Sequence, residues 1–234
     1  MRKSLKLFAL GGNEVSPAGG WSAELGRFVV PDIAAQWQRT AHTCRMLAEI
    51  IKSKPNDFHI ITHGNGPQVG NILLRAEFAS SILHRIPLDI CGADTQGAMG
   101  YMLTQLSYAL QMLGVKRTVA ETVTQVVVDP DDPDFANPSK FIGPTYAKEE
   151  AEQKRKEGLK LKLYNKNDKG EEQWRRVVGS PEPKEIVEID VIEATLKAGI
   201  IPIAVGGGGI PVVRVGARVE NGKEIYACNY GISF

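Results

Sequence analysis

Apolar positions along this chain recur with two periods. Leu5 to Leu10 is an apolar run broken only by Lys6, and Phe58 to Thr62, Thr118 to Asp129 and Ile200 to Val205 are short runs rich in Ile, Val and Thr. Those are the marks of buried strands. Between them the spacing is helical. Asp32 is placed to cap a helix that continues to Lys52, with Trp37, Ala41, Cys44, Leu47 and Ile51 on one face. Gln68 to Leu83 turns Ile72, Leu73, Ala76 and Ala79 inward. Asp94 to Leu113 presents Met99, Leu103, Leu106, Leu110 and Leu113 and stops at Gly114, and Ile189 to Ala198 stops at Gly199. Helices alternating with buried strands predict an α/β fold with a mostly parallel sheet.

The texture changes between Pro130 and Pro183. Prolines at 130, 133, 138 and 144 precede a charged helix from Lys148 to Glu157. Lys160 to Tyr164 and Gln173 to Val178 then alternate around the turn Asn165 to Gly170, the pattern of a solvated hairpin. The expected division is therefore residues 1–129, a protruding subdomain over 130–183, and a return to the main sheet over 184–234. Arg175 and Arg176 are adjacent in that hairpin and cannot share a strand face, so at most one faces a ligand, and a solvated pair is expected. Glu14 to Val30 reads as a long surface loop and Val212 to Tyr226 as a hairpin.

Strand ends carry the chemistry. Gly11-Gly12-Asn13 follows the first strand, Gly64-Asn65-Gly66 the second, and Gly206-Gly207-Gly208-Gly209 the last. The second is strand, glycine turn, helix, with Pro67 suited to a first helical turn. Such turns aim backbone N–H groups and a helix dipole at one point, where an anion is the natural guest. In parallel sheets ligands bind beyond the carboxyl ends of strands, so one shared anion site is expected. Asn13 and Asn65 also suit turn geometry by themselves. No GxxxxGK[ST] motif is present. The run from Gly64 to Gly70 stands one residue away from a dinucleotide fingerprint, but the acidic residue at the right separation, Asp89, follows Pro87 between helices. A nicotinamide oxidoreductase is disfavoured on that ground.

Composition narrows the classes further. In 234 residues, 28 basic and 27 acidic side chains leave a net charge of +1, which offers nothing to nucleic acid or an acidic membrane. Cys44, Cys91 and Cys228 are widely spaced with no CxxC pair, and read as reduced thiols of a cytoplasmic protein. His42, His59, His63 and His84 have no metal-ligand spacing and read as packing and hydrogen-bonding residues. No apolar run approaches the ~18 residues of a membrane span.

Five motifs, in order, carry a resemblance: Ala9-Leu10-Gly11-Gly12-Asn13, Thr62 to Gly70, Gln96-Gly97-Ala98-Met99-Gly100-Tyr101, Asn137 to Pro144, and Gly206 to Val212. Together they resemble carbamate kinase of the amino acid kinase superfamily. The resemblance implies a three-layer αβα fold, a homodimer, and reversible phosphoryl transfer between ATP and carbamate with magnesium, usually toward ATP from carbamoyl phosphate and ADP. It implies that amides of Gly11, Gly12, Asn13, Gly64, Asn65, Gly66, Gly207 and Gly208 hold carbamate and the transferring phosphoryl group. Lys140 matches that family's lysine in the protruding subdomain, a mobile positive charge over the site. The family's later aspartate-lysine-aspartate motif and nucleotide pocket have no counterpart here, and Asp168-Lys169 belongs to a hairpin turn. Two forms stay open: a carbamate-binding half of a longer kinase, and a short relative that binds an acyl phosphate or similar anion without catalysis.

Overall fold

The computed structural model describes residues 3–17, 19–22, 27–29, 31–214, 218–220, 223–225 and 228–230. The chain begins with β1 (Leu5–Leu10), α1 (Gly12–Val15), β2 (Gly20–Ser22), β3 (Arg27–Val29), α2 (Ile33–Lys52), β4 (Phe58–His63) and α3 (Gly66–Phe78). Then come α4 (Leu88–Leu103), α5 (Leu106–Met112), β5 (Val119–Glu121), β6 (Gln125–Val128), α6 (Pro133–Ala136), β7 (Lys140–Tyr146) and α7 (Lys148–Lys156). It ends with β8 (Leu161–Lys166), β9 (Glu172–Val178), β10 (Pro183–Ile186), α8 (Ile189–Lys197), β11 (Ile201–Ile203), a 3-10 turn (Gly206–Gly208), β12 (Ile210–Arg214), β13 (Arg218–Glu220), β14 (Lys223–Ile225) and β15 (Cys228–Tyr230). Two compact units share these elements. The first holds Met1–Asn65, Asp94–Thr124 and Val187–Gly209, the second Gly66–Ala93, Gln125–Ile186 and Ile210–Phe234.

The first unit is built on a parallel sheet in the order β1-β4-β11-β5. Leu7 pairs with Ile60, Ile203 with Ile61, and Ile201 with Val119. Ile51, Ile61, Leu103, Leu106, Leu110, Ile201 and Ile203 are wholly buried and form its core with Cys44, Leu47 and Met99. Each such side chain contributes roughly 1.5–3 kcal/mol by leaving water. Asp32 caps α2 as the sequence predicts, accepting from the Ala35 N–H at 2.7 Å. At the opposite end of the strands Arg117 donates to the carbonyls of Gly199 and Asp57 and to His59 Nδ1. Burial and that guanidinium hold the His59 imidazole below its usual pKa, so it accepts as the neutral ring.

Four expectations change here. β1 is not buried: Leu5 and Leu7 stand 60% and 63% exposed on an edge strand. The Glu14 to Val30 loop contains the last residues of α1 and the β2–β3 hairpin. The helix over 94–113 starts earlier, at Leu88, and breaks after Leu103, where the Thr104 hydroxyl donates back to the Tyr101 carbonyl at 2.7 Å and competes with the helical ladder. The run Thr118 to Asp129 is two strands of different sheets, because the backbone of Thr124 is held by the Gln96 side chain instead of by a strand partner.

Glu121, the last residue of β5, is a buried carboxyl with no hydrogen-bond partner for either oxygen among the described residues. It lies over Gly100 of α4, where any Cβ would overlap its carboxyl group. Burial pushes its pKa from 4.5 up to about 8. The folded state therefore keeps this proton while the unfolded chain loses it, so stability is full below about pH 4.5 and is lost as pH rises toward 8. The loss runs at up to about 1.4 kcal/mol per pH unit. Glu121→Gln removes it. Urea titrations at pH 5 and pH 8.5 should show the variant gaining on the wild type by a few kcal/mol, to order of magnitude, at the higher pH. Parallel pH dependences would show that this carboxyl titrates normally.

The second unit holds a mixed sheet, β10-β6-β12-β15, and a three-stranded antiparallel sheet, β7-β9-β8. α3 packs on β7, with Gly70 against the backbone of Gly143, around a core of Val69, Leu73, Cys91, Ile142 and Val178. The predicted helix to Leu83 is shorter and ends at Phe78. The hairpin predicted over Val212 to Tyr226 is narrower: β13 pairs with β14, while β12 pairs with β15. α7 buries Ala151 against Tyr146 and Leu161. The arginine pair is not solvated. Arg175 lies 4.8 Å from the Tyr164 ring centroid, and Arg176 is half-buried among Glu77, Tyr146 and Cys91, with burial lowering its pKa. Adjacent strand residues point to opposite faces, and both faces of β9 are covered.

Candidate functional site

The carboxyl ends of β1, β4 and β11 bring three glycine turns together in the first unit. If Gly64 carried a Cβ, that atom would stand 3.3 Å from the Gly12 amide nitrogen, so the first two turns are in backbone contact. The third closes on the second. Gly206 lies against the buried His63 ring, 2.6 Å from Nε2 to where its Cβ would be. Gly207, at φ 65°, leaves no room for a Cβ beside the Asn65 carboxamide. Only glycine satisfies both the left-handed backbone and that approach.

Side chains hold the turns in place. Asn65 donates to Thr95 Oγ1 at 2.8 Å. His63 Nδ1 is 3.2 Å from the Gly64 carbonyl, which can only accept, so Nδ1–H is the donor; burial lowers the ring's pKa, and Nε2 has no partner among the described residues. Thr62 donates its hydroxyl to the Val205 carbonyl, and Thr124 Oγ1 accepts the Val205 N–H, both at 3.0 Å. Gln96, wholly buried, donates to the carbonyls of Gly206 and Thr124 and accepts from the Thr124 N–H.

The free donors are fewer than the sequence suggests. The Gly64 N–H is spent on the Leu10 carbonyl and the Gly208 N–H on the Val205 carbonyl. Amides of Gly12 and Asn13 in the first turn of α1, of Asn65, and of Gly206 and Gly207 remain without backbone partners among the described residues. Gly11 and Asn13 are exposed, Gly12, Asn65 and Gly207 half-buried and Gly206 buried, so the donors of Gly12, Asn13, Asn65 and Gly207 belong to accessible residues. Clustered unspent amides favour a small anion. Gly66 opens α3 and belongs to the second unit, as does Lys140. Lys140 is the first residue of β7, opposite Val178, with an exposed side chain that makes no ion pair or hydrogen bond among the described residues.

A relative of known family fits this arrangement. Carbamate kinase 2 of Enterococcus faecalis is 38% identical over 231 residues, which are 96% of this chain and 69% of that protein. The chain belongs to the carbamate kinase family. The Lentilactobacillus hilgardii carbamate kinase is 44% identical over 188 residues, 80% of this chain. Among solved structures, a Giardia lamblia carbamate kinase bound to AMP-PNP superposes with a TM-score of 0.74 at 31% identity, over 99% of this chain and 67% of that one. No protein-family model matches the chain. The chain spans 58% of the L. hilgardii protein, so a large part of that kinase's length has no counterpart in it. A mixed α/β fold with a parallel sheet, of the amino acid kinase type, is thereby shown.

Sequence reasoning found the glycine turns and missed their supports. Gln96 lies in a motif noted above, yet an apolar-stripe reading of that helix passes over a glutamine. Thr62 opens another of those motifs, while Thr95 and Thr124 carried no signal, since threonine is ordinary in and around strands.

Proposed function

We propose that this chain carries the carbamate- and phosphoryl-binding part of a carbamate kinase and takes part in the reversible reaction of carbamoyl phosphate and ADP to carbamate and ATP. In that reaction the bond from phosphorus to the carbamate oxygen breaks, and a bond to the terminal oxygen of ADP forms. Family membership and the convergence of three glycine turns support this, and the convergence is the observation that carries it. Phosphoryl transfer needs alignment and charge neutralisation more than a covalent nucleophile. Amides of Gly12, Asn13, Asn65 and Gly207 would hold the anion, with Gly11, Gly64, Gly66 and Gly208 shaping the turns and Lys140 supplying positive charge.

Magnesium is not matched by a ligand cluster: no group of His, Cys, Asp or Glu side chains that could hold a metal ion occurs among the described residues. The ion would arrive with the nucleotide, on its phosphate oxygens. Pairing of two copies, a cytoplasmic location and a place in arginine breakdown belong to the same proposal. The test is ATP formation by the purified chain from carbamoyl phosphate, ADP and magnesium. ATP formation would show that these 234 residues complete the transfer by themselves. No ATP from a folded chain that still binds carbamoyl phosphate would leave a non-catalytic anion-binding module.

A further inference from the structure

We propose that Gln96 is a positioning residue that aims the Gly207 amide at the anion; the inference rests on the anion-binding role given above to the glycine turns. The Gly206 carbonyl and the Gly207 N–H are opposite ends of one planar trans peptide. Pinning the carbonyl therefore fixes the direction of the N–H. Gln96 Nε2 donates to that carbonyl at 2.9 Å, which points the Gly207 donor away from α4.

Flanking glycines make such a pin necessary. Gly206 and Gly207 both lack a Cβ, so little besides hydrogen bonding prevents their shared peptide from flipping. The residue before them is held against its own preference. Val205 is β-branched yet sits at φ 55°, ψ 35°, a left-handed conformation that costs about 1–2 kcal/mol. Thr124 Oγ1 accepts the Val205 N–H, and the Val205 carbonyl accepts from the Thr62 hydroxyl and the Gly208 N–H. The Thr62 bond fixes the Gly206 N–H by the same peptide geometry.

Gln96 joins these supports. Besides Gly206 it holds both backbone groups of Thr124, donating to the carbonyl at 3.2 Å and accepting from the N–H at 2.7 Å. Thr124 in turn donates its hydroxyl to the Thr122 carbonyl and keeps a lone pair for Val205. One buried carboxamide thus joins the Gly209 N–H, 3.1 Å from the same Gly206 carbonyl, in holding the peptide that carries the Gly207 amide, without itself lying among the anion-facing donors.

The test compares Gln96→Met, which keeps length and loses all three bonds, with Thr62→Val, which frees the turn from the other side, and with Thr62→Ser, which keeps the hydroxyl. Melting curves establish folding. KM for carbamoyl phosphate and for ADP are measured with the full chain, and Kd for carbamoyl phosphate by calorimetry. We expect the first two variants to raise KM and Kd for carbamoyl phosphate at least tenfold, with KM for ADP moving less than twofold and Thr62→Ser close to wild type. A merely structural defect would lower the active fraction and leave KM alone. Should Gln96→Met fail to fold, Gln96→Glu decides in its place, since it keeps an acceptor for the Thr124 N–H and loses the donor to the Gly206 carbonyl. Folded variants with unchanged affinity for carbamoyl phosphate would overturn the inference while leaving the kinase reading intact. Absence of ATP formation, with carbamoyl phosphate binding that weakens in the variants, would overturn the kinase reading and uphold this one. A wild-type chain that neither binds carbamoyl phosphate nor makes ATP would overturn both.

Discussion

Lys140→Ala should lower the rate of ATP formation from carbamoyl phosphate about 10²- to 10³-fold, the range seen when one preorganised charge-stabilising donor is removed. That loss corresponds to about 2.7–4 kcal/mol. A single positive charge about 4 Å from a phosphoryl oxygen, at an effective dielectric of about 20, interacts with it by about 4 kcal/mol, which is enough. Folding should not change. The Lys140 side chain is exposed, its ammonium has no ion-pair partner among the described residues, and exposed substitutions of this kind usually stay within about ±0.5 kcal/mol. Stopped assays of both proteins at equal concentration, with melting curves beside them, separate the two effects. An undiminished rate in a folded variant would take Lys140 out of the reaction and leave its motif as a proline-flanked strand start.

The second large effect is expected at Gly207. Valine there meets two obstacles at once. At φ 65° a β-branched side chain costs about 1–2 kcal/mol, and its Cβ overlaps the Asn65 carboxamide. Relief requires Asn65 to leave Thr95 Oγ1 or the turn to shift, and either displaces an anion-facing amide. Gly207→Val should weaken carbamoyl phosphate binding at least a hundredfold and destabilise the chain by about 2–4 kcal/mol, adding backbone strain to a lost buried hydrogen bond. Gly208→Ala is the control. Gly208 is also left-handed, at φ 90°, but nothing lies within 4 Å of its would-be Cβ and its N–H is already spent on Val205. It should lose stability by about 1–2 kcal/mol and affinity several-fold at most. Equal losses of affinity at the two positions would mean that strain alone, and no particular amide, governs binding.

Much of this site was legible in the chain. Phe58 to Thr62 followed by Gly64 and Gly66 reads as strand, turn and helix because each signal lies within a few residues of the next, and β4 and α3 stand there. The same holds for Asp32 as a cap and for the glycine turn at Gly206, although the strand before it ends at Ile203 and not at the predicted Val205. Reading fails where a local pattern has two tertiary outcomes. Thr118 to Asp129 has one β-rich composition, and only the grip of Gln96 on Thr124 divides it into strands of two sheets. Arg175 and Arg176 look like a solvated pair because charge marks a surface by default, yet Tyr164 and Glu77 cover them from separate elements.

By itself the sequence determines the alternation of elements, the parallel sheet, and the glycine turns that close its strands, because strand period, helix caps and turn chemistry act over a few residues. Which amides remain free was decided only by the tertiary structure. Gly64 and Gly208 spend their N–H groups, while those of Gly206 and Gly207 have no backbone partner among the described residues. The reason is one of distance along the chain. The bonds that orient those peptides join Gln96 to Gly206 across 110 residues and Thr62 to Val205 across 143, and no local pattern encodes partners so far apart.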